Sequence, residues 1–436
     1  MKKVYFIGIG GIGVSALARK YLGEGWKVAG SDRSASLITT ELRTLGAKIF
    51  LKQKAANITN DLDLVIYTIA IPDNHPELIR AKKLGIKILS YPESLGELSK
   101  QVFTIAIAGT HGKTTTTAMV GEMLRAARRD PMVIVGSLLQ GRGQHRSNFI
   151  AGHGPLVVEA CEYRRSFLNL TPQILVITNI DNDHLDYYRD LADIQSAFVT
   201  LAAKVPLTGT LICDIRDPRL APVIAACLAG VESRRAVRCR VIDYREFDRA
   251  ANRLPLKVLG IHNRLNAAAA LAVAKVLRIP AATAHPALSR FRGTWRRLEY
   301  LGRTERGTPI YDDYAHHPTE IRATIAAVRR DLKFRRLIVI FQPHLYSRTK
   351  LLFREFVASF GEADEVFILP IYAARERRDP EVSSRSLAAA IPKATYVPNL
   401  AALKKHLVTV YRHDLILNLG AGDSFVLVEQ LRYTRG

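Results

Sequence analysis

The segment Ala108 to Thr117, AGTHGKTTTT, constrains the fold of this chain more than any other stretch. It follows the mostly apolar run Val102 to Ala106 and precedes residues that favour a helix. In a strand, loop and helix of this kind, glycines let successive backbone N–H groups and the helix N-terminus face an anion. Lys113 adds a positive charge, and the Thr114 hydroxyl can bind Mg²⁺. The segment therefore predicts a nucleoside triphosphate site in an α/β domain.

The match to the usual phosphate-loop pattern is incomplete. The pattern G-x-x-x-x-G-K-[ST] requires its first glycine where this chain has Ile107. We therefore expect a shortened variant of the loop. An ordinary turn before a helix is the alternative, and the preceding strand together with the pair Gly109 and Gly112 disfavours it.

A second glycine-rich turn lies near the start of the chain. The predicted strand Lys3 to Ile7 leads into GIGGIG, and a helix through Leu22 then leads to the predicted strand Trp26 to Ala29. The residues that we expect to contact a nucleotide ligand here are Gly8, Gly10, Gly11, Gly13, Ser31 and Asp32. A G-x-G-x-x-G turn followed by an acidic residue is typical of dinucleotide-binding folds. It does not specify NAD, because the glycines admit any nucleotide diphosphate.

The order of elements predicts the architecture. Strands and helices alternate almost throughout, which indicates α/β domains with largely parallel sheets. A chain of 436 residues is longer than a single hydrophobic core usually accommodates. We predict three domains: a Rossmann-like domain at residues 1–98, a P-loop ATPase domain at 99–294 and a Rossmann-like domain at 295–436.

The charge of the chain is strongly positive, at +23. Its arginine pairs, such as Arg128 with Arg129 and Arg234 with Arg235, are scattered and lack interleaved aromatic residues. We therefore expect a solvated basic surface that attracts small anionic substrates, and no nucleic-acid partner.

The remaining composition indicates a cytoplasmic protein. No apolar run approaches the roughly 20 residues that cross a bilayer, and the first residues lead directly into a strand, so we expect no membrane insertion. The four cysteines lack metal-site spacing, and we interpret them as buried or idle thiols. They are Cys161, Cys213, Cys227 and Cys239.

Further polar residues follow predicted strands, where open α/β sheets bind ligands. Glu159 ends an apolar run and could share Mg²⁺ with Thr114, although a strand-end salt bridge is the alternative. His184 lies in the acidic loop NIDNDHLDYY. Asn263 and Asn266 are three residues apart, which suits a purine edge or a helix N-cap. In the third domain the candidates are Arg296, Arg297, Asp312, Asp313, Tyr314, His316, His317, His344 and Arg348.

Taken together these elements resemble the Mur ligase family over essentially the whole chain. The matching stretches are GIGGIGVSALA, AGTHGKTTTT, VVEACEY with SFL, TNIDNDHLDYY, GIHNRLNAAAA, GTWRRLE, DDYAHHPTEI, FQPHLYSRT and LGAGD, in the family's order. Within the family, the chain looks like the branch that adds L-alanine to UDP-N-acetylmuramate. The resemblance implies an N-terminal domain for the UDP-sugar, a central ATPase and a C-terminal domain that closes over ATP and brings the amino acid.

The resemblance also implies roles for single residues. The catalytic set would be Lys113, Glu159, His184, Asn263, Asn266, Arg297 and Asp313. ATP would contact Gly109, Thr110, His111, Gly112, Lys113, Thr114, Thr115, Asn263, Arg297 and Asp313. Thr114, Glu159 and His184 would bind magnesium, and Asn266 would serve the adenine side with Asn263. The amino acid would contact Tyr314, His316, His344 and Arg348.

Two departures from the family pattern affect these expectations. The family often has EADES and FQPHR where this chain has EACEY and FQPHL. Glu159 is intact, but Leu345 leads us to expect one polar contact fewer near the amino-acid pocket.

Three other functions are open alternatives. They are a ligase that recycles a ready-made peptide onto the same UDP-sugar, an NAD-dependent dehydrogenase, and a nucleic-acid-associated ATPase. The phosphate loop disfavours the dehydrogenase, and the diphosphate-type first domain disfavours the nucleic-acid enzyme.

Overall fold

A computed structural model describes residues 1–140, 146–228, 239–374, 376–410 and 412–433. The chain forms two compact units. The first comprises Met1–Asn182, Asp190–Leu254 and Asn266–Phe291, and the second comprises Asp183–Arg189, Pro255–Leu265 and Arg292–Gly436. The predicted α/β class is confirmed. The predicted domain boundaries stay predictions.

The first sheet of unit 1 has five parallel strands in the order β3-β2-β1-β4-β5. Its strands are β1 (Lys3–Ile7), β2 (Lys27–Ser31), β3 (Lys48–Phe50), β4 (Leu64–Tyr67) and β5 (Lys87–Ser90). Its helices are α1 (Ile12–Gly23), α2 (Leu37–Thr44), α3 (Pro76–Lys83) and α4 (Tyr91–Gln101). Helix α4 begins at Tyr91 because Ser90 and Glu93 form a capping box and Pro92 favours the first turn.

The second sheet of unit 1 has seven strands in the order β12-β11-β10-β6-β9-β7-β8, with β7 and β8 antiparallel. The strands are β6 (Thr104–Ala108), β7 (Met132–Gln140), β8 (Arg146–Ile150), β9 (Leu156–Glu159), β10 (Ile174–Ile177), β11 (Thr210–Cys213) and β12 (Arg240–Asp243). The helices are α5 (Lys113–Ala126), α6 (Leu191–Ala202), α7 (Ala221–Leu228), α8 (Asp248–Arg253), α9 (Ile261–Val276) and α10 (Ala281–Arg290). Helix α9 begins in unit 2 and continues in unit 1.

Unit 2 contains a six-stranded sheet in the order β13-β14-β18-β15-β16-β17, in which only the β13–β14 pair is antiparallel. The strands are β13 (Glu299–Arg303), β14 (Pro309–Asp313), β15 (Leu337–Phe341), β16 (Glu365–Ile368), β17 (Ala394–Tyr396) and β18 (Leu415–Leu419). The helices are α11 (Pro318–Asp331), α12 (Tyr346–Leu351), α13 (Phe353–Val357), α14 (Ser384–Ala390), α15 (Leu400–His406) and α16 (Ser424–Glu429). Buried clusters cover both faces of the sheet, which explains why strands such as LIVIF are apolar throughout.

Short 3-10 helices complete the described elements, at Ala55–Asn57, Tyr163–Asn169, Pro218–Leu220, Tyr244–Phe247 and Leu407–Thr409.

Two predicted elements were misplaced. The strand before the phosphate loop is Thr104–Ala108 instead of Val102 to Ala106, because the buried positions extend up to the first glycine. In the third domain the sequence also predicts one continuous helix from Lys350 to Phe360, but the structure has α12 and α13, which meet at Leu352. Leu352 has φ of −103° and ψ of 26°, outside helical geometry.

Two features of the structure concern the expectations about membrane insertion and about the cysteines. Among the described residues, no helix combines the length and apolar character needed to cross a membrane. Three cysteines are buried, as interpreted, and Cys161 is exposed.

Candidate nucleotide and substrate site

The glycine turn after β1 is held by hydrogen bonds to the end of β2. The N–H groups of Gly8 and Ile9 donate to the Ser31 carbonyl at 2.8 and 3.0 Å. The Gly10 N–H donates to Asp32 Oδ2 at 2.8 Å, and a Cβ on Gly10 would lie 2.9 Å from the same oxygen. The turn follows β1 where the sheet order reverses between β2 and β4, the usual ligand position in an open α/β sheet.

The other two glycines of the turn allow close packing. The Gly11 N–H donates to the Gly8 carbonyl at 3.1 Å. Gly13 lies against the Tyr91 ring, since a Cβ there would be 2.6 Å from Tyr91 Cζ. The turn therefore depends on small residues at both positions.

The Ser31 side chain is fully buried and belongs to a network around Glu77. Its hydroxyl donates to one Glu77 carboxylate oxygen at 2.5 Å, and Tyr5 and Asn57 donate to the other at 2.8 and 2.7 Å. Burial raises the pKa of Tyr5 above its usual range. Ser31 thus supports the turn through its carbonyl, and its contact with a UDP-sugar stays a prediction.

The phosphate loop connects β6 to α5 through two glycines in left-handed conformations. Gly109 has φ of +126° and Gly112 has φ of +86°. A Cβ on Gly109 would lie 2.1 Å from Thr178 Oγ1, and one on Gly112 would lie 2.4 Å from Asn266 Oδ1. Both positions therefore require glycine. Ile107 lies inside buried β6, which accounts for the missing first glycine.

Lys113 is the first residue of α5, and its ammonium group is enclosed by acceptors. It donates to the carbonyls of Gly109 and Thr110 at 2.6 and 2.9 Å, and lies 2.9 Å from Glu162 Oε2. Although burial opposes its charge, Glu162 in particular raises the pKa of Lys113 above its usual value. The ammonium is therefore charged at the N-terminus of the helix, where a phosphate would bind.

Thr114 and Glu159 meet beside the loop, as predicted for a shared cation. Thr114 Oγ1 donates to Glu159 Oε1 at 3.0 Å, and the Gly136 N–H donates to Glu159 Oε2 at 2.6 Å. Register explains the meeting, since Glu159 pairs with Ile107 on the adjacent strand. A carboxylate and a hydroxyl are hard oxygen donors of the kind that Mg²⁺ prefers. His184, the third predicted ligand, belongs to unit 2, and its metal role stays a prediction.

Residues after β10 brace the loop from its other side. The Thr110 N–H donates to the Asn179 carbonyl at 3.0 Å, and the His111 N–H donates to Asn179 Oδ1 at 2.9 Å. Thr178 Oγ1 donates to the His111 carbonyl at 2.6 Å, and His111 Nε2 lies 3.2 Å from Asp181 Oδ2. Glu162 and Asn179 are not among the predicted site residues, although both lie within the motifs that carried the resemblance. Their position after the strands flanking β6 is the signal that could have identified them.

The two asparagines of α9 are both buried. Asn266 lies against Gly112 in unit 1, next to the phosphate loop. Asn263 lies in unit 2, where its side-chain amide donates to the Leu259 carbonyl at 2.6 Å. Asn266 is therefore placed at the loop, and the adenine roles of both residues stay predictions.

In unit 2, Asp313 ends β14 in a buried position. Its carboxylate accepts hydrogen bonds from the N–H groups of Leu298 and Ala315, each at 2.7 Å. Burial raises the pKa of Asp313 to about 7 despite the nearby charge of Arg297. Arg297 lies 3.8 Å from Glu320 and 5.3 Å from the centre of the Tyr314 ring.

The four amino-acid candidates of unit 2 lie together. The rings of Tyr314 and His316 are 5.4 Å apart, and those of His316 and His344 are 5.7 Å apart. Arg348 lies 3.2 Å from His344 Nδ1 and donates to Asp183 Oδ1 at 2.8 Å. Burial lowers the pKa of His316 to about 4, so its imidazole is neutral at pH 7.

The pair of Arg348 and Asp183 is almost enclosed, with side chains 8% and 10% exposed. Although burial opposes ionisation, Arg348 and then His184 hold the pKa of Asp183 well below its usual range. The cluster thus presents both a cation and an anion, as the two charged groups of an amino acid require. Leu345 is buried with φ of +70°. Its backbone N–H donates to the Tyr372 carbonyl at 2.9 Å, and its carbonyl accepts hydrogen bonds from the Thr349 hydroxyl and N–H at 2.7 and 3.2 Å.

Arg296 supports the adjacent LGAGD loop. Its guanidinium donates to Asp312 and to the Gly422 carbonyl at 2.8 and 2.9 Å, and also to the Gly420 carbonyl at 2.5 Å. The side chain is 3% exposed. Arg296 therefore has a structural role at this sheet edge, in contrast to the partly exposed Arg297.

Comparisons with known proteins agree with this geometry. Three family descriptions match nearly the whole chain: "Mur ligase family, catalytic domain" at residues 3–103, "Mur ligase middle domain" at 107–274 and "Mur ligase, glutamate ligase domain" at 296–422. The UDP-N-acetylmuramate–L-alanine ligase of Clostridium kluyveri is 40% identical over 459 residues, covering 98% of this chain and 97% of that protein. The enzyme of the same name from Lachnospira eligens is 39% identical over 454 residues, with the same coverage.

A solved structure is similar to this chain over nearly its whole length. The UDP-N-acetylmuramate-alanine ligase of Thermotoga maritima superimposes with a TM-score of 0.80 at 29% identity, covering 99% of this chain and 98% of that one. The three sheets and their order along the chain correspond to the three-domain architecture of such ligases. The chain belongs to the Mur ligase family.

Proposed function

We propose that this protein is an ATP-dependent ligase that joins L-alanine to the lactyl carboxylate of UDP-N-acetylmuramate, a step in peptidoglycan precursor synthesis. The observation that carries the proposal is the 40% identity over 98% of the chain to a relative named for this reaction. The geometry supports it, since a diphosphate-type glycine turn, a phosphate loop and a mixed-charge cluster occur in one chain.

The chemistry follows from these parts. The lactyl carboxylate attacks the γ-phosphorus of ATP, forming an acyl phosphate and releasing ADP. The amine of L-alanine then attacks the acyl carbon, and phosphate leaves from the tetrahedral intermediate as the amine loses a proton. The protein contributes mainly positioning and charge stabilisation.

The phosphate loop would hold the nucleotide. Lys113 would donate to phosphate oxygens from the helix N-terminus, with Glu162 keeping it protonated and oriented. The backbone N–H groups of Gly112 and of the first turn of α5, up to Thr115, would face the phosphates, whereas those of Thr110 and His111 donate to Asn179. From unit 2, Asn263, Arg297 and Asp313 would contact ATP.

The pair of Thr114 and Glu159 fits Mg²⁺, with His184 as the proposed third ligand. When bound, the ion would neutralise part of the charge on the transferring phosphoryl group. Glu159 is already oriented for this by the Gly136 N–H.

The cluster of unit 2 would bind the amino acid. Arg348 would pair with the carboxylate of alanine, and Asp183, now its partner, would face the ammonium group. The neutral His316 and the ring of Tyr314 would complete the pocket.

The proposal is tested by phosphate release. Purified protein receives ATP, Mg²⁺ and UDP-N-acetylmuramate with L-alanine, glycine, L-serine or a cell-wall tripeptide, and NADH oxidation and DNA-stimulated ATP hydrolysis serve as controls. We expect release with L-alanine, and weaker release with glycine, which lacks a methyl group worth about 1–3 kcal/mol, and with L-serine, which adds a hydroxyl to that carbon. Release with the tripeptide alone would replace the proposal with the recycling ligase.

A further inference from the structure

A pocket of about 660 Å³ lies at the carboxyl ends of β4 and β5 in unit 1. One wall comes from residues after these strands and the other from the segment Tyr163–Asn169, which follows β9. The lining residues used below are Ser90, Glu93, Arg164 and Asn169. Its volume is in the range of small-molecule sites, about 300–1,000 Å³.

The pocket lies between the glycine turn and the phosphate loop. Tyr91, between two residues that line the pocket, packs against Gly13 of the glycine turn. On the other wall, Glu162 binds Lys113 and stands two residues before Arg164. A molecule with its diphosphate at the glycine turn and its carboxylate at ATP would therefore pass through this pocket.

Arg164 has a backbone conformation that non-glycine residues rarely adopt. It and Arg165 both lie in the left-handed region, with φ of +51° and +54°. Two consecutive non-glycine residues in this region store strain, which persists only where surrounding contacts enforce it. The contacts are visible on both sides, since Glu162 pairs with Lys113 and Arg165 donates to Asp193 at 2.6 Å.

The effect of this backbone is to direct the Arg164 side chain to the pocket. One guanidinium nitrogen donates to the Ile69 carbonyl at 3.1 Å, which fixes the group at the rim. Arg164 is the only basic residue among the twelve that line the pocket. Two acidic residues also line the pocket, Asp73 and Glu93, and the Glu93 carboxylate accepts the N–H and hydroxyl of Ser90, both at 2.7 Å. Arg164 therefore provides the positive charge of the pocket.

We propose that Arg164 is a substrate-binding residue, whose guanidinium pairs with an oxyanion of the sugar nucleotide, either the diphosphate or the lactyl carboxylate. This inference rests on the proposed function and adds to it Arg164, which lies between the stretches VVEACEY and SFL that carried the resemblance. A guanidinium at the rim suits planar, two-point contact with either oxyanion. Ser90 and Asn169 would accept or donate bonds to sugar hydroxyls.

The test compares Arg164→Gln with Arg165→Gln in the full-length protein. The control residue has the same backbone conformation and charge, but it pairs with Asp193 and does not line the pocket. Calorimetry measures the dissociation constants of UDP-N-acetylmuramate, UDP-N-acetylglucosamine and ATP for each protein. Arg164→Lys retains the charge without the two-point geometry.

We expect Arg164→Gln to weaken UDP-N-acetylmuramate binding about 10- to 100-fold, the effect of losing a charged hydrogen bond, while ATP binding stays within about twofold. Arg165→Gln, which keeps the Arg164 side chain and loses only one of the contacts that hold its backbone, should weaken sugar-nucleotide binding much less than Arg164→Gln does, and Arg164→Lys should recover part of the affinity. Equal losses for both sugar nucleotides identify the diphosphate as the partner, and a loss confined to the muramate identifies the lactyl carboxylate.

Two results would overturn the inference. Unchanged sugar-nucleotide binding by Arg164→Gln removes Arg164 from the site and leaves the proposed function intact. Failure of the unsubstituted protein to bind UDP-N-acetylmuramate removes both the inference and the proposed function.

Discussion

Replacing Lys113 should reveal a stability defect that a second substitution repairs without restoring activity. Lys113 and Glu162 form a nearly buried ion pair, with side chains 12% and 3% exposed. Lys113→Met removes the cation and leaves the carboxylate enclosed. Breaking one partner of a buried pair costs about 3–5 kcal/mol, because the remaining charge is neither solvated nor compensated. We expect a loss of this size in the free energy of unfolding.

Adding Glu162→Gln should recover much of that loss, because the double variant buries no net charge at this position. The expected coupling energy between the two substitutions is about 2–3 kcal/mol. Urea unfolding followed by circular dichroism measures it from four proteins: unsubstituted, both single variants and the double variant. Ligation should be absent in both proteins that lack Lys113.

Additive destabilisation in the double variant would refute this reasoning, since it would mean that Glu162 is not left with an uncompensated charge. Ligation by Lys113→Met at more than a few per cent of the normal rate would refute the assignment of Lys113 to the phosphates.

Three further outcomes are expected. Gly10→Ala should weaken UDP-sugar binding about tenfold in calorimetry without changing ATP binding, because its Cβ would displace the Asp32 carboxylate 2.9 Å away. Arg348→Ala should raise the KM for L-alanine about 10- to 100-fold in the phosphate-release assay, and an unchanged KM would exclude it from the amino-acid pocket. Asp313→Asn should remove a pH dependence of the free energy of unfolding. Folding raises the pKa of Asp313 from 3.8 to about 7, so the folded protein binds this proton more tightly than the unfolded chain does. Its stability contribution is therefore highest below pH 4 and falls by up to roughly 4 kcal/mol as pH rises towards 7, and urea unfolding at several pH values should show this fall only in the unsubstituted protein.

The parts of the site that are formed by residues close together in the sequence could be located from the sequence. The glycine turn, the phosphate loop and the end of β9 each depend on a few consecutive residues, and the structure places all three at carboxyl ends of strands. The β6 strand was shifted by two residues because apolar content does not mark where an extended segment begins. The break at Leu352 was missed because the residues on both sides of it are compatible with a helix.

Partners distant in sequence could not be predicted. Glu162 and Lys113 are 49 residues apart in the sequence, and Arg348 and Asp183 are 165 residues apart. Their contacts depend on the order of strands in the sheets, which cannot be predicted from a local sequence pattern. The buried network of Ser31 and Glu77 depends in the same way on how α3 covers the first sheet. Residue roles toward ligands stay predictions, since they require the ligand as well as the fold.

The hydrogen bond from Gly136 to Glu159 has a consequence for the choice of cation at the proposed metal site. Oε2 accepts a hydrogen bond from a backbone N–H, whereas Oε1 accepts one from the Thr114 hydroxyl, which can itself bind an ion, so an ion between Thr114 and Glu159 would approach the Oε1 side of the carboxylate. Calcium is commonly bound by both oxygens of a carboxylate in a roomy shell of six to eight ligands, whereas magnesium takes single oxygens in a tight octahedron and keeps several waters. The Gly136 N–H, held within β7, would therefore favour one-oxygen binding of magnesium over two-oxygen binding of calcium, and calcium should compete poorly for the position.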